Sequence, residues 1–234
     1  MIFYISYSGK LFPQNDANTN TAYASITEEI PEPDIRKDLL RITEGDRYLY
    51  ILVDKQHPLE NVYVPDDLVE LVNRSYRVTR EGLTLRRMAA DSLETMAAAA
   101  LRDGVTLTAG SAFRTYDYQA EVYERNVRQM GRQAADRESA RPGHSQHQLG
   151  LAVDFFPIDD AFAETPAHSW LLENASRFGW SLSYPQGYED ITGYRWESWH
   201  YRFVGAALAE FIEKYFDGIQ QNALLYINSN IEPD

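Results

Sequence analysis

Two short segments hold most of the residues able to do chemistry. The first is "GHSQHQLGLAVDF", in which His147 and Asp154 flank Gly150. The second is "WESWHYRF", which carries Glu197 and His200. The chain has five histidines, His57, His144, His147, His168 and His200, and only His147 and His200 sit near carboxylates at informative spacing. Two histidines and an aspartate suit a divalent zinc ion in a tetrahedral site with one open position. Zinc in such a site lowers the pKa of a bound water to roughly 7, giving a hydroxide nucleophile at neutral pH. Glu197, as a carboxylate outside that set, can take the water's proton and hand it to a leaving amine. Arg114, just before a helical pattern, offers a guanidinium fork to a developing oxyanion or a substrate carboxylate. Each residue alone has a plainer reading. Asp154 would serve as a cap, Arg114 as a surface residue, Glu197 and Arg202 as an exposed ion pair, and Trp196 and Trp199 as core or cleft wall.

Strand alternation orients these groups. If 151–156 is a strand, Leu151, Val153 and Phe155 share one face while Ala152, Asp154 and Phe156 share the other. A turn at Gly150 then brings His147 back over Asp154. In "WHYRF", Trp199, Tyr201 and Phe203 alternate with His200 and Arg202, so the rings face the core and the histidine faces a polar cleft. Glu197 has the wrong parity for that cleft. A bend near Ser198, or a strand beginning only at Trp199, corrects it.

The elements around the two segments are mixed. "RYLYILVD" (47–54) is rich in β-formers and predicts a strand. Over 84–103, Leu85, Met88, Ala89, Leu93, Met96 and Ala100 recur at helical spacing and Gly104 stands at the C′ position. "VTLTAGSAF" (105–113) alternates as a strand. "TYDYQAEVYERNVRQMG" predicts a helix capped by Thr115 and closed by Gly131. Residues 132–146 are polar and predict a loop. "TPAHSWLLENASRFG" predicts a helix with Thr165 as N-cap and Pro166 at N1. "WSLSY" and "RWESWHYRF" predict a strand pair, and "VGAALAEFIEKYFD" a closing amphipathic helix. Hairpin-connected strands among helices argue for α+β rather than a doubly wound parallel sheet. Residues 1–45 predict a loop-rich N-terminal extension and 46–234 the functional domain.

Bulk properties exclude several classes. The 234 residues are 44% hydrophobic, enough for one domain with a continuous core. No run of about 18 apolar residues predicts a membrane-spanning helix. The first residues lack the basic n-region of a signal peptide. Cysteine is absent, so a metal must be held by His, Asp or Glu. A net charge of −13 and a pI of about 4.8 disfavour nucleic acid and anionic membranes as partners.

"SQHQLGLAVD" (145–154) resembles the S-x-H-x-x-G-x-A-x-D motif of zinc D-alanyl-D-alanine carboxypeptidases of the vancomycin-resistance type. "ESWH" (197–200) resembles their E-x-W-H, and "SAFRTYDYQ" (111–119) their S-G-Y-R-S-x-x-x-Q, in the family's order. Ala112, Phe113 and Thr115 depart from the last motif, which touches pocket shape more than metal chemistry. The resemblance covers roughly 48–215. It implies a hedgehog/D,D-peptidase-like fold with a small, mostly antiparallel central sheet and flanking helices. It implies His147, Asp154 and His200 as zinc ligands, Glu197 as general base, Arg114 on the scissile carbonyl or substrate, and Gln119 and Ser145 near the substrate terminus. The implied activity is removal of a terminal D-alanine from peptidoglycan stem peptides, D,D- or L,D-linked, at the cell envelope, although the chain shows no leader and cytoplasmic relatives exist. Endopeptidase action on the same peptides, or a zinc-containing binding module without turnover, are the alternatives.

Overall fold

A computed structural model describes residues 4–5, 11–12 and 32–231, of which β1 (Tyr4–Ile5) and β2 (Leu11–Phe12) pair antiparallel. The periodic stretch after residue 84 divides in two. Leu85 belongs to a short strand, β5 (Thr84–Arg86), antiparallel to β3 (Leu68–Glu70). Helix α2 then runs Arg87–Arg102, burying Ala89, Leu93, Met96 and Ala100, and Gly104 follows at φ 79°. Fully burying a side chain such as Leu93 stabilises by about 1.5–3 kcal/mol.

The central sheet has five strands in the order β4-β6-β7-β9-β8. They are β4 (Arg77–Val78), β6 (Thr108–Ser111), β7 (Ala152–Phe155), β8 (Trp180–Leu182) and β9 (His200–Phe203). Only β4–β6 is parallel; β6–β7, β7–β9 and β8–β9 are antiparallel. The α+β fold with a mostly antiparallel sheet agrees with expectation. Leu151, Val153, Phe155, Tyr201 and Phe203 point into a core shared with α2, Phe162 and Trp180. Helix α3 (Tyr116–Met130) starts at Thr115, whose hydroxyl accepts from the Tyr118 N–H, and α5 (Pro166–Asn174) starts at Thr165, which accepts from His168 N.

Several stretches differ from the sequence expectation. Residues 47–54 do not form a strand. Asp46 caps a 3-10 turn at Arg47–Leu49, and the carbonyls of Tyr48, Leu49 and Ile51 converge on one nitrogen of the buried Arg202 guanidinium at 2.9–3.2 Å. A tertiary demand for acceptors overrides β-propensity there. Within 132–146 a seven-residue helix, α4 (Arg132–Glu138), buries Ala135. Residues 189–192 form a short helix, α6 (Glu189–Thr192), inside the loop between β8 and β9. Helix α7 (Gly205–Phe216) is not the last element, because α8 (Gln220–Asn230) follows it. Within the stretch read as a loop-rich extension, Glu32–Thr43 is a helix, α1, and most of the rest lies outside the described residues.

α1, α7 and α8 share a second core built on Ile35, Leu208, Phe211, Ile212, Leu224 and Ile227. Among the described residues no helix is long and apolar enough to cross a membrane.

Candidate active site

Register brings the chemistry together. In the β7–β9 pair, Asp154 lies directly opposite His200, so the two side chains leave the sheet on one face. His147 sits in a 3-10 turn, Gln146–Leu149, that Gly150 ends in the left-handed region at φ 69°. A β-carbon at Gly150 would stand 3.0 Å from Arg86 and Leu68 side-chain atoms, so both its conformation and its surroundings require glycine. The turn folds His147 over Asp154, as its position before Gly150 predicts.

His147 Nε2 is 3.1 Å from Asp154 Oδ2, and His200 Nδ1 is 2.9 Å from Asp154 Oδ1. The three residues are almost fully buried. The other ring nitrogens define the tautomers. His147 Nδ1 lies 2.6 Å from the Ala112 carbonyl, which can only accept, so Nδ1 carries the proton and Nε2 presents a lone pair. His200 Nε2 lies 3.1 Å from Gln146 Oε1, which leaves its Nδ1 lone pair facing Asp154. His147 Nε2 and Asp154 Oδ1 have no hydrogen-bond partner. Burial, with Arg114 adding to it, pushes His147 down to about 4, so it is neutral at pH 7. Two imidazole nitrogens converging on one buried carboxylate form a donor set for a cation. The three donor atoms lie within 4.8 Å of one another. Two imidazole nitrogens and a carboxylate oxygen are ligand types that zinc takes in a site with one position left open. The donor set therefore fits zinc.

The bend expected at Ser198 is present. Glu197 O accepts from His200 N at 3.3 Å across a turn at Ser198–Trp199, and the strand begins only at His200. Glu197 Oε2 comes to 3.6 Å from His200 Nδ1. Burial, reinforced by the Asp154 charge, raises its carboxyl well above the usual range. The plainer reading of Glu197 as an exposed partner of Arg202 is excluded, because Arg202 is fully buried against the 48–51 carbonyls.

Arg114 lies just beyond β6. Its backbone N–H donates to the His147 carbonyl at 3.3 Å, Nη2 is 3.7 Å from Asp154 Oδ2, and its buried Nε has no partner. Gln119, on α3, donates from Nε2 to the Ala140 carbonyl at 2.7 Å, and its buried Oε1 is unpaired. Ser145 Oγ accepts from His147 N at 3.3 Å as the cap of the 3-10 turn.

All seven sequence-predicted residues line one cleft of about 490 Å³. Sequence reasoning missed Tyr184, Tyr194 and Arg195 in its wall. The Tyr184 ring packs 4.8 Å from His200, and the buried Tyr194 hydroxyl has no partner. Both lie within the β8–β9 loop, where no periodicity marks which rings turn inward.

Residues 82–206 match the VanY family, described as D-alanyl-D-alanine carboxypeptidase. The chain is 36% identical to YodJ of Bacillus subtilis (strain 168) over 203 residues, covering 80% of this chain and 74% of YodJ. The solved structure of the LdcB LD-carboxypeptidase matches with a TM-score of 0.63 at 36% identity, covering 72% of this chain and 85% of that one. A Zn(II) complex of a variant of the vancomycin-resistance D,D-pentapeptidase VanY matches with a TM-score of 0.63 at 33% identity, covering 76% and 99%. By a match that spans the whole His147–His200 site and over half the chain, this protein belongs to the VanY family of D-alanyl-D-alanine carboxypeptidases.

Proposed function

We propose that this chain is a zinc metallopeptidase that removes the C-terminal D-alanine from peptidoglycan stem peptides at the cell envelope. The observation that carries the reading is the buried cluster of two imidazoles on one carboxylate, with Glu197 beside it. His147 Nε2, Asp154 and His200 Nδ1 hold the metal. Zinc bound there supplies a Lewis acid that lets water ionise near neutral pH. Glu197 accepts the proton of the attacking water and returns it to the departing amine. Arg114 donates to the carbonyl oxygen as charge develops on it, a role worth about 3–4 kcal/mol for a well-placed donor. Gln119 Oε1 and Ser145 face the cleft where the substrate terminus is expected. Tyr184 packs its ring against His200. We assign residues 46–234 to the catalytic domain, with 1–45 as its extension.

The D,D- or L,D-preference follows from which muropeptide is trimmed. Mass spectrometry of defined tetrapeptide and pentapeptide muropeptides, with and without chelator, tests the proposal. Chelator-sensitive loss of one terminal alanine is expected. Fragments from within the stem would make the protein an endopeptidase, and zinc-dependent binding without any product would make it a binding module.

A further inference from the structure

The elements that hold His200 reach beyond the family match, which ends at residue 206. Four polar side chains lie end to end behind the site, all almost fully buried: Gln146, His200, Gln220 and Ser183. Gln220, in the first turn of α8, donates from Nε2 to the Ser181 carbonyl at 3.3 Å. A carbonyl can only accept, so this bond fixes the Gln220 amide with Oε1 turned inward. Gln220 Oε1 accepts from Gln146 Nε2 at 3.2 Å, which fixes the Gln146 amide in turn. Gln146 Oε1 then accepts from Ser183 Oγ at 2.7 Å and from His200 Nε2 at 3.1 Å. The direction of every bond in the row descends from one backbone carbonyl, and the row ends by placing the His200 lone pair on Nδ1, toward Asp154. The neighbouring Gln221 Nε2 donates to Asp54 Oδ2 at 2.7 Å, which fixes the docking of α8.

We propose that the C-terminal helix α8 sets the zinc affinity of the site through the amide relay Gln220–Gln146–His200. An acceptor on the distal nitrogen of a metal-ligating histidine fixes its tautomer and orientation and raises its basicity. His147 takes that acceptor from a backbone carbonyl, which substitution leaves in place. His200 takes it from a side chain that is itself aimed by a second side chain, so its ligand strength depends on α8. Gln146 and Gln220 are positioning residues that touch neither metal nor substrate. The inference rests on the assignment of zinc to His147, Asp154 and His200.

The test is competition of the full chain against a chromophoric chelator for Zn(II), at a temperature where circular dichroism shows each variant folded. Stoichiometric zinc binding by the parent protein checks the underlying assignment separately. Gln146→Leu is expected to weaken zinc binding by about 10–100-fold, and Gln220→Leu to weaken it in the same direction by less. Ser183→Ala, a milder change at the same junction, is expected to weaken it least. Nitrogen-15 correlation spectra of the zinc-loaded parent are expected to show a slowly exchanging His200 Nε2–H, lost in Gln146→Leu. A packing role alone would lower the melting temperature and leave zinc affinity and that resonance unmoved. An unchanged zinc Kd in Gln146→Leu overturns the relay. An unchanged Kd in Gln220→Leu, with Gln146→Leu weakened, overturns the part assigned to α8.

Discussion

In the proposed mechanism the chemistry turns on Glu197. Its carboxyl is buried beside a second acid, and burial first, then Asp154, oppose its ionisation. A cation held by His147, Asp154 and His200 would relieve that opposition and make the proposed base competent. Glu197→Gln keeps the shape and removes the base. We expect that variant to retain stoichiometric zinc while kcat/KM falls by about 10²–10⁴, the range for loss of a positioned general base. Steady-state kinetics paired with elemental analysis checks it, and near-parental turnover would remove Glu197 from the mechanism. The apo variant should melt no lower than the apo parent, since an acid in an unfavourable site has been neutralised. His147, Asp154, His200 and their relation to Gly150 were legible because strand parity and one glycine turn define them locally. Gln146 was not, because its partner lies 74 residues away on a helix whose sequence carries no strong period.

Single elements hold the proposed ligands in register, and their failures are separable. Gly150 ends the 3-10 turn that folds His147 over Asp154. Gly150→Ala meets a positive φ and three side-chain contacts at 3.0–3.2 Å. It should cost roughly 1–3 kcal/mol, read as a lower urea midpoint, and weaken zinc binding with it. A fall in stability with zinc affinity intact would mean the turn does not aim His147. Asp54 tests the other side of the fold. Burial alone would raise its carboxyl, but the Gln56 N–H, His57 and Gln221 hydrogen bonds outweigh that and lower it. A folded-state pKa below the unfolded one gives stability that is complete above about pH 4 and lost as pH falls through the folded value. Asp54→Asn should therefore destabilise by about 1–3 kcal/mol at pH 7, and by clearly less at pH 3. Equal urea midpoint shifts at the two pH values would refute the anchor. The stretch just before it, 47–54, explains why the sequence misled: "YLYILV" has strand composition, but its carbonyls serve the buried Arg202. No local pattern announces an acceptor demand made by a residue about 150 positions later. Helix α2, by contrast, carries its own periodic apolar face, and that spacing places it within about three residues of its actual start.

Across the whole molecule, folding and metal binding draw on different parts. One apolar core lies between α2 and the sheet, the other between α1, α7 and α8, and neither needs a metal to close. The proposed ligands are held by β7–β9 register, by the Ala112 carbonyl and by the Gln146 row, all formed within the chain itself. The site is thus largely built before the metal arrives, unlike small zinc domains that fold only with it. Zinc then stabilises by mass action alone, about 4 kcal/mol at free metal 1,000 times its Kd. For a domain of this size that corresponds to a rise of roughly 8–16 °C in melting temperature. We expect chelation to remove that increment and all turnover while leaving the far-UV circular dichroism at 25 °C unchanged. Readdition of zinc should restore both activity and Tm without a slow refolding phase. If chelation instead collapses the dichroism, the metal is part of the core and the separation of scaffold from site is wrong. If it leaves the melting temperature where it was, the buried cluster of His147, Asp154 and His200 does not bind zinc in the folded chain.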